Sequence, residues 1–274
     1  MRPVELQAAG ASQAGHVREE NQDHILISEH DPEGRGQLCV LADGMGGYAH
    51  GGVASRTAVE ALLAVFYAGP PHQAAQNLRE GIQQANLEVH RAAQRLNAAQ
   101  MGTTLTALHI GAGSLAIAHV GDSRAYLVRG GQARCLTNDH TVVGDLVRMK
   151  VLSPDQVRGH ARRSVLSKSL GLSLFVQPDL IQCPLQPDDI VILCSDGVWA
   201  FVQDSEFAGL AADVREPEAL SRRLIELAMA HDSDDNVSAI AVRIQHPGTA
   251  REKARAWQWP AFLQRRRPHP TRSP

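Results

Sequence analysis

Aromatic side chains are scarce in this sequence. Phe, Trp and Tyr make up 4% of its 274 residues, so a core has to be assembled mainly from Val, Leu, Ile and Ala. Cysteine is scarce too: Cys39, Cys135, Cys183 and Cys194 show neither the close pairing of a zinc site nor a Cys-x-x-Cys redox pair. Three of them lie in apolar, strand-like stretches, which predicts reduced, structural thiols. No apolar run reaches the ~18 residues of a membrane span, and Met1–Gln7 lacks the apolar segment of a signal peptide. The expected compartment is the cytoplasm, with no transmembrane segment. A Gly-x-x-x-x-Gly-Lys-Ser/Thr loop to cradle a triphosphate is also missing, which argues against a general nucleotide hydrolase. Net charge is only −2, but residues 248–274 carry +6 and the preceding body −8. An acidic body argues against nucleic-acid binding.

What is present fits a soluble globular chain, with 43% hydrophobic and 20% charged residues. The length allows one domain of about 240 residues and a tail. The run Leu38-Cys39-Val40-Leu41-Ala42 has no polar alternation and reads as a strand buried on both faces. It delivers Asp43 into Gly44-Met45-Gly46-Gly47. One Asp-Gly after a strand is ordinarily a hairpin turn. Here the pattern returns at Ile190–Cys194 with Asp196-Gly197, at Ala116–Val120 with Gly121-Asp122, and reversed at Asp234-Asp235 before Val237–Val242. Four strand ends that each carry an acid would repel one another if gathered and buried, so a positive partner is needed among them, and a divalent cation is the economical one.

In chain order, residues 4–28 read as two short strands around Gln13-Ala14-Gly15, with Arg18-Glu19-Glu20-Asn21-Gln22-Asp23 in the loop between them. Helical spacing marks 53–67, through Val59, Leu62, Leu63 and Phe66, and 73–100, through Leu78, Ile82, Ala85, Val89 and Leu96. Both stripes are core-facing and carry no chemistry. Strands at 102–110, 114–120, 125–129 and 133–136, with a Gly130-Gly131 hairpin, read as one antiparallel meander, not as βαβ units. Residues 138–171 break that pattern with a short helix at 142–150 and the basic segment Arg158–Arg163, and read as a flap inserted between strands. Strands follow at 176–183, 190–194 and 237–244, and helices at 204–212 and 216–231. Beyond Gln245, prolines and like charges interleave with Trp257, Trp259 and Phe262, which predicts low order.

Several motifs then stand in a specific order: Arg18-x-x-Asn21-Gln22-Asp23, Ala42-Asp43-Gly44-Met45-Gly46-Gly47, Gly102-Thr103-Thr104, Val120-Gly121-Asp122-Ser123-Arg124, Leu136-Thr137-Asn138-Asp139-His140, Ser195-Asp196-Gly197 and Asp235-Asn236. With that set the sequence resembles the metal-dependent protein phosphatases of bacterial type, the PPM or type 2C serine/threonine phosphatases. The resemblance covers residues 12–244.

It implies an α+β fold, a four-layer αββα sandwich of two antiparallel sheets with helices on both outer faces and a di-metal site at one end. The phosphatase domain is expected at 1–246 and a basic, Pro-rich tail at 247–274. The resemblance implies two bridged Mg2+ or Mn2+ ions. Asp43 would bridge them, Gly44 would offer its carbonyl, and Asp196 and Asp235 would bind the first ion. Asp23 would hold metal-bound water from the next shell, and Gln22 stands where several relatives have Glu. Asp122 with Asp196 resembles the site of a weaker third ion. Catalysis would rest on Asp43, Asp196 and Arg18, whose planar fork suits phosphate oxygens. Paired ions lower the pKa of a bridging water enough to supply hydroxide near neutral pH, and it would attack phosphorus with no covalent phosphoenzyme.

Met45 stands where some eukaryotic relatives have His, and Tyr48 where many bacterial ones do, so no general acid is assigned. His50 is the nearest candidate, ahead of His140 and His160. The expected partners are a phosphorylated protein and a cognate serine/threonine kinase, with the chain acting as a monomer. The alternative reading is a non-catalytic, phosphoprotein-binding regulator on the same fold.

Overall fold

In a computed structural model of the protein, which describes residues 3–29, 35–47, 50–111 and 113–248, the first half of the chain is organised by strand β3. In order along the chain stand β1 (Glu5–Gln13), β2 (Asp23–Ile27), β3 (Gln37–Met45), α1 (His50–Ala68), α2 (Ala74–Arg95), β4 (Gly102–Thr103), β5 (Leu105–Gly111) and β6 (Ser114–Val120). The second half adds β7 (Arg124–Arg129), β8 (Gln132–Cys135), α3 (Val142–Arg148), β9 (Asp179–Pro184), β10 (Ile190–Cys194), α4 (Asp196–Trp199), α5 (Asp204–Asp213), α6 (Pro217–Ala230) and β11 (Val237–His246).

Two sheets stack face to face, in the orders β1-β11-β10-β7-β8 and β2-β3-β5-β6-β9, with β4 paired to β3. All pairings are antiparallel. The β3 run shows why it has no polar alternation. Leu38, Val40 and Ala42 pack under α1 and α2, while Cys39 and Leu41 fill the space between the sheets against Val191, Leu193, Ile240 and Val242. Strand β10 divides in the same way, with Ile190, Ile192 and Cys194 turned to α4, α5 and α6. A fully buried Leu, Val or Ile contributes about 1.5–3 kcal/mol, so strands buried on both faces supply apolar burial that the scarce aromatics do not. The expected four-layer αββα sandwich is the observed one.

Several local expectations change. The run 102–136 is not one meander: β5–β6 and β7–β8 are two hairpins in opposite sheets, and the chain crosses between sheets at Gly121-Asp122-Ser123. Likewise β1 and β2 belong to different sheets, so the Arg18 loop spans the end of the sandwich. Helix α2 stops at Arg95, because Asn97 takes φ +53° and the Ala98 N–H turns back to the Ala93 carbonyl. Leu96, expected on the buried stripe, is exposed. Helix α1 begins at His50, earlier than the apolar stripe suggested, and the ninth strand starts at Asp179, later than expected. Residues 138–171 bridge the two sheets, pinned by backbone pairings of Thr141 with Leu166 and of Thr103 with Leu170. The expected tail beyond Gly248 lies outside the described residues, as does Tyr48. Among the described residues no helix is long and apolar enough to cross a membrane. The four thiols are free, with Cys39, Cys183 and Cys194 buried.

Candidate metal centre

Asp23 and Asp43 are register partners on β2 and β3 at one end of the sandwich. Asp122 lies at the sheet crossing, Asp196 opens α4 directly after β10, and Asp235 precedes β11. Five segments remote in sequence therefore bring their carboxylates to the same end.

The backbone around them is held tightly. Asp43 donates its N–H to Thr104 Oγ1 (3.0 Å), and its carbonyl accepts from Thr103 Oγ1 and from the Thr104 N–H, both at 2.8 Å. Thr104 Oγ1 in turn meets Ser123 Oγ at 2.8 Å, which ties β3 to the crossing that carries Asp122. Gly121 there has φ +109°, and a Cβ would collide with Thr104, so only glycine permits the crossing. Trp199 Nε1–H donates to the Asp122 carbonyl at 2.8 Å. Arg124 lies 3.5 Å over the Trp199 ring and grips Asp139 with both arms of its fork (2.8 and 2.6 Å). Gly44 is closely packed as well, because a Cβ would run into the carbonyls of Gly51 and Gln22.

Electrostatics single out these acids. Burial, with lesser repulsion from Asp196 and Asp235, pushes the Asp23 carboxyl up to about 7. The Ser238 and Ser195 hydroxyls offset part of that rise, yet neither makes a hydrogen bond of ordinary geometry, and both Asp23 oxygens are buried without a partner. Asp43 is raised well above the usual carboxylate range, first by burial and then by Asp23, Asp196, Asp122 and Asp235. Asp122 is raised by burial, Asp196 and Asp139, against the pull of Arg124. Asp196 is pushed up to about 6 by burial and Asp235, and tempered by a hydrogen bond with Asp43, by the Gly197 N–H and by Arg163.

Arg18 is placed at the same end. Its Nη2 meets Asp235 Oδ2 at 2.8 Å, which raises the guanidinium pKa, and its side chain is 54% exposed. Among the described residues no three carboxylate, imidazole or thiol side chains close on one point as ligands do around an ion, and Asp235 is drawn aside to Arg18. The donor set nevertheless fits a hard divalent cation, since it is all oxygen, mutually repelling and includes two orphaned buried oxygens.

The histidine candidates separate. His140 is buried, accepts the Gly121 N–H at Nδ1 (3.1 Å) and meets Asp179 at 3.2 Å through Nε2, so both ring nitrogens are engaged. His160 Nδ1 accepts the Arg162 N–H at the surface. His50 opens α1, one residue from the glycine packed on Gly44.

Other participants stood in or near the motifs without an assigned role. Asn236 donates to the Ala14 and Glu20 carbonyls (3.1 and 2.9 Å) and accepts the Gln22 N–H (2.9 Å), so it holds the Arg18 loop in place. Its position beside Asp235 was the only available hint. Trp199 and Arg163 reach the site through a helix turn and a loop that periodicity does not place.

The model of the family described as protein phosphatase 2C matches residues 12–236. The chain is 31% identical over 233 residues to the serine/threonine phosphatase stp of Listeria welshimeri, an alignment that covers 83% of this chain and 92% of the relative. Its structure is similar to that of the serine/threonine phosphatase Stp1 from Staphylococcus aureus (TM-score 0.82, 33% identity, 88% of this chain and 96% of the other). It is similar as well to the catalytic domain of the serine/threonine protein phosphatase PstP in complex with two manganese ions (TM-score 0.77, 30% identity, 88% and 99% covered).

Proposed function

Since the chain belongs to the protein phosphatase 2C family and is a protein-serine/threonine phosphatase, we propose that it removes phosphate from phosphoserine and phosphothreonine of proteins modified by a cognate bacterial serine/threonine kinase, in the cytoplasm, with Mg2+ or Mn2+ as its cofactor. The catalytic unit is residues 1–246. The observation that carries the metal assignment is the gathering of buried, mutually repelling aspartates, with both Asp23 oxygens lacking a partner among the described residues.

Asp43, Asp196 and Asp235 hold two ions together with the Gly44 carbonyl, Asp122 and Asp196 hold a weaker third, and Asp23 holds water at the edge of the site. Bound there, the ions supply Lewis acidity that activates water for attack on phosphorus and neutralises the phosphate charge. Arg18 binds the phosphate oxygens. Its side chain is 54% exposed, and it is paired with Asp235. Transfer is to water and not to a side chain. Burial pushes the Cys39 thiol up to about 12 and the Cys194 thiol well up, which removes their nucleophilic form. Ser195 Oγ accepts the Ser238 N–H at 3.0 Å and points to the Asn236 carbonyl, so it is committed to structure. The non-catalytic alternative is set aside, because all the metal-type acids are present and the relatives are phosphatases.

The test is hydrolysis of p-nitrophenyl phosphate and of a phosphothreonine peptide with manganese against excess chelator, beside an Asp43→Asn variant. Turnover with manganese only, and its loss in the variant while circular dichroism is unchanged, is expected. Folded wild-type protein that hydrolyses neither ester with manganese would overturn the reading.

A further inference from the structure

Large apolar side chains are exposed at nine described positions. Val17 neighbours Arg18, Val53 lies in the first turn of α1 beside the glycine packed on Gly44, and Leu96 precedes the turn to Met101 that backs Gly46. Three more lie within 138–171. The remaining three are close in sequence: Leu172 at 48% exposure, Leu174 at 56% and Phe175 at 91%.

The segment that carries those three is fixed. Asn86, on the buried face of α2 and 1% exposed, donates to the Ser173 and Leu174 carbonyls (2.8 and 3.1 Å) and accepts the Gly171 N–H (2.9 Å). His90 Nδ1–H donates to the Gly171 carbonyl at 2.8 Å, and Gln94 donates to His90 Nε2 at 3.2 Å, which sets the ring tautomer. Gly171 has φ +93°, and a Cβ there would collide with Val89. Leu170 pairs in both directions with Thr103, whose hydroxyl donates to the Asp43 carbonyl. Leu172 lies over Gly102 beside Met45. A buried asparagine and a histidine thus hold the backbone of the segment that carries these exposed apolar side chains, and that segment begins two hydrogen-bonded steps from Asp43.

We propose that Leu172, Leu174 and Phe175 form a preorganised shelf that takes an apolar side chain of the substrate protein next to the phosphorylated residue. The inference rests on the phosphatase reading and adds a substrate class to it: phosphosites with an apolar neighbour are preferred. The occupant follows from position, because Leu172 lies over Gly102, the register partner of Met45 two residues from Asp43, so residues flanking a phosphate held at the aspartates have this surface within reach. Three side chains fall far short of the ~800 Å² per partner that a stable dimer buries, which disfavours a second copy of the chain. A shelf that is already ordered lets apolar burial count toward binding without the cost of fixing a loop.

The experiment compares two phosphothreonine peptides, one with Leu, Ile or Phe at the positions flanking the phosphoresidue and one with Ser or Asn there. Both are assayed with the manganese-loaded full chain and with Leu174→Ser/Phe175→Ser, while p-nitrophenyl phosphate and a thermal melt serve as controls. The wild type is expected to favour the apolar peptide roughly tenfold in kcat/KM. The double variant loses that preference but keeps turnover of p-nitrophenyl phosphate and its melting temperature. Phe175→Ser alone, at the most exposed position, shows a smaller loss of the same kind. A wild type indifferent to flanking residues, or a double variant that keeps the preference, overturns the proposal. So does a wild-type dimer by light scattering that the double variant converts to monomer. Failure on both peptides and p-nitrophenyl phosphate instead brings down the phosphatase reading itself.

Discussion

Asp189 and Asp23 are buried carboxylates at opposite ends of one sandwich, and their surroundings differ in kind. Asp189 has no exposed side-chain surface and is met by both arms of the Arg129 fork (2.7 and 2.6 Å) and by the Gln186 N–H (2.7 Å). Asp23 has no hydrogen-bond partner for either oxygen among the described residues and is repelled by Asp196 and Asp235. The protein satisfies a buried charge where the acid is structural. At the other end it gathers several that repel one another and leaves Asp23 without a partner among the described residues, a cost that a bound cation would offset. Asp139, gripped by Arg124 close to the metal centre, belongs with Asp189: it braces Trp199 and through it the Asp122 carbonyl.

Removing one acid from each kind of site sharpens the contrast. Asp196→Ala should lower manganese-dependent turnover of p-nitrophenyl phosphate by about 10³-fold or more, since several kcal/mol of charge stabilisation go with the metal site. In chelator the same variant should melt no lower than wild type, because a repelling carboxylate has been deleted. Arg129→Met should do the reverse. Leaving Asp189 buried and unpaired costs about 3–5 kcal/mol in a urea unfolding curve, while turnover per folded molecule stays the same.

Proton linkage gives the next smaller effect. Asp23 at about 7 and Asp196 at about 6 are raised above their unfolded values near 4, so the metal-free native state binds more protons than the unfolded state between those limits. Stability of the chelated protein is therefore expected to fall as pH rises from about 4 to about 7. Manganese should flatten that slope, and Asp23→Asn should reduce it without metal. Thermal melts across this range, with and without chelator, read it directly; stability that rises with pH in chelator would break the comparison. The smallest change is Trp199→Phe, which keeps a ring under Arg124 but leaves the Asp122 carbonyl without its 2.8 Å donor. A loss of about 1–3 kcal/mol in unfolding is expected, with weakened metal binding by calorimetry in proportion.

Legibility followed the range of the interaction. The runs at 38–42 and 190–194 read as strands buried on both faces because every residue in them is apolar, and they pack that way. The stripe through Leu78, Ile82, Ala85 and Val89 read as core for the same local reason, whereas Leu96 was misplaced, since the left-handed Asn97 ends the helix before that turn closes. The meander over 102–136 was misread because alternation marks a strand but not its neighbour, and Gly121 looks the same in a hairpin as in a crossing between sheets. At the metal centre the aspartates stood out as acids at strand ends. Thr104, Ser123 and Asn236 stood in motifs but without a role, and Trp199 stood in none, because hydrogen bonds between remote segments leave no periodicity.

The amino-acid order by itself determined which segments are strands and helices, which faces of them are apolar, and which strand ends carry an acid, because those properties depend on residues a few positions apart. Only the tertiary structure decided that β1 and β2 part to different sheets, that Arg18 meets Asp235, and that Leu172, Leu174 and Phe175 stand exposed on a segment tied to α2. Those outcomes depend on which distant surfaces are complementary enough to bury one another, and no local pattern records that choice.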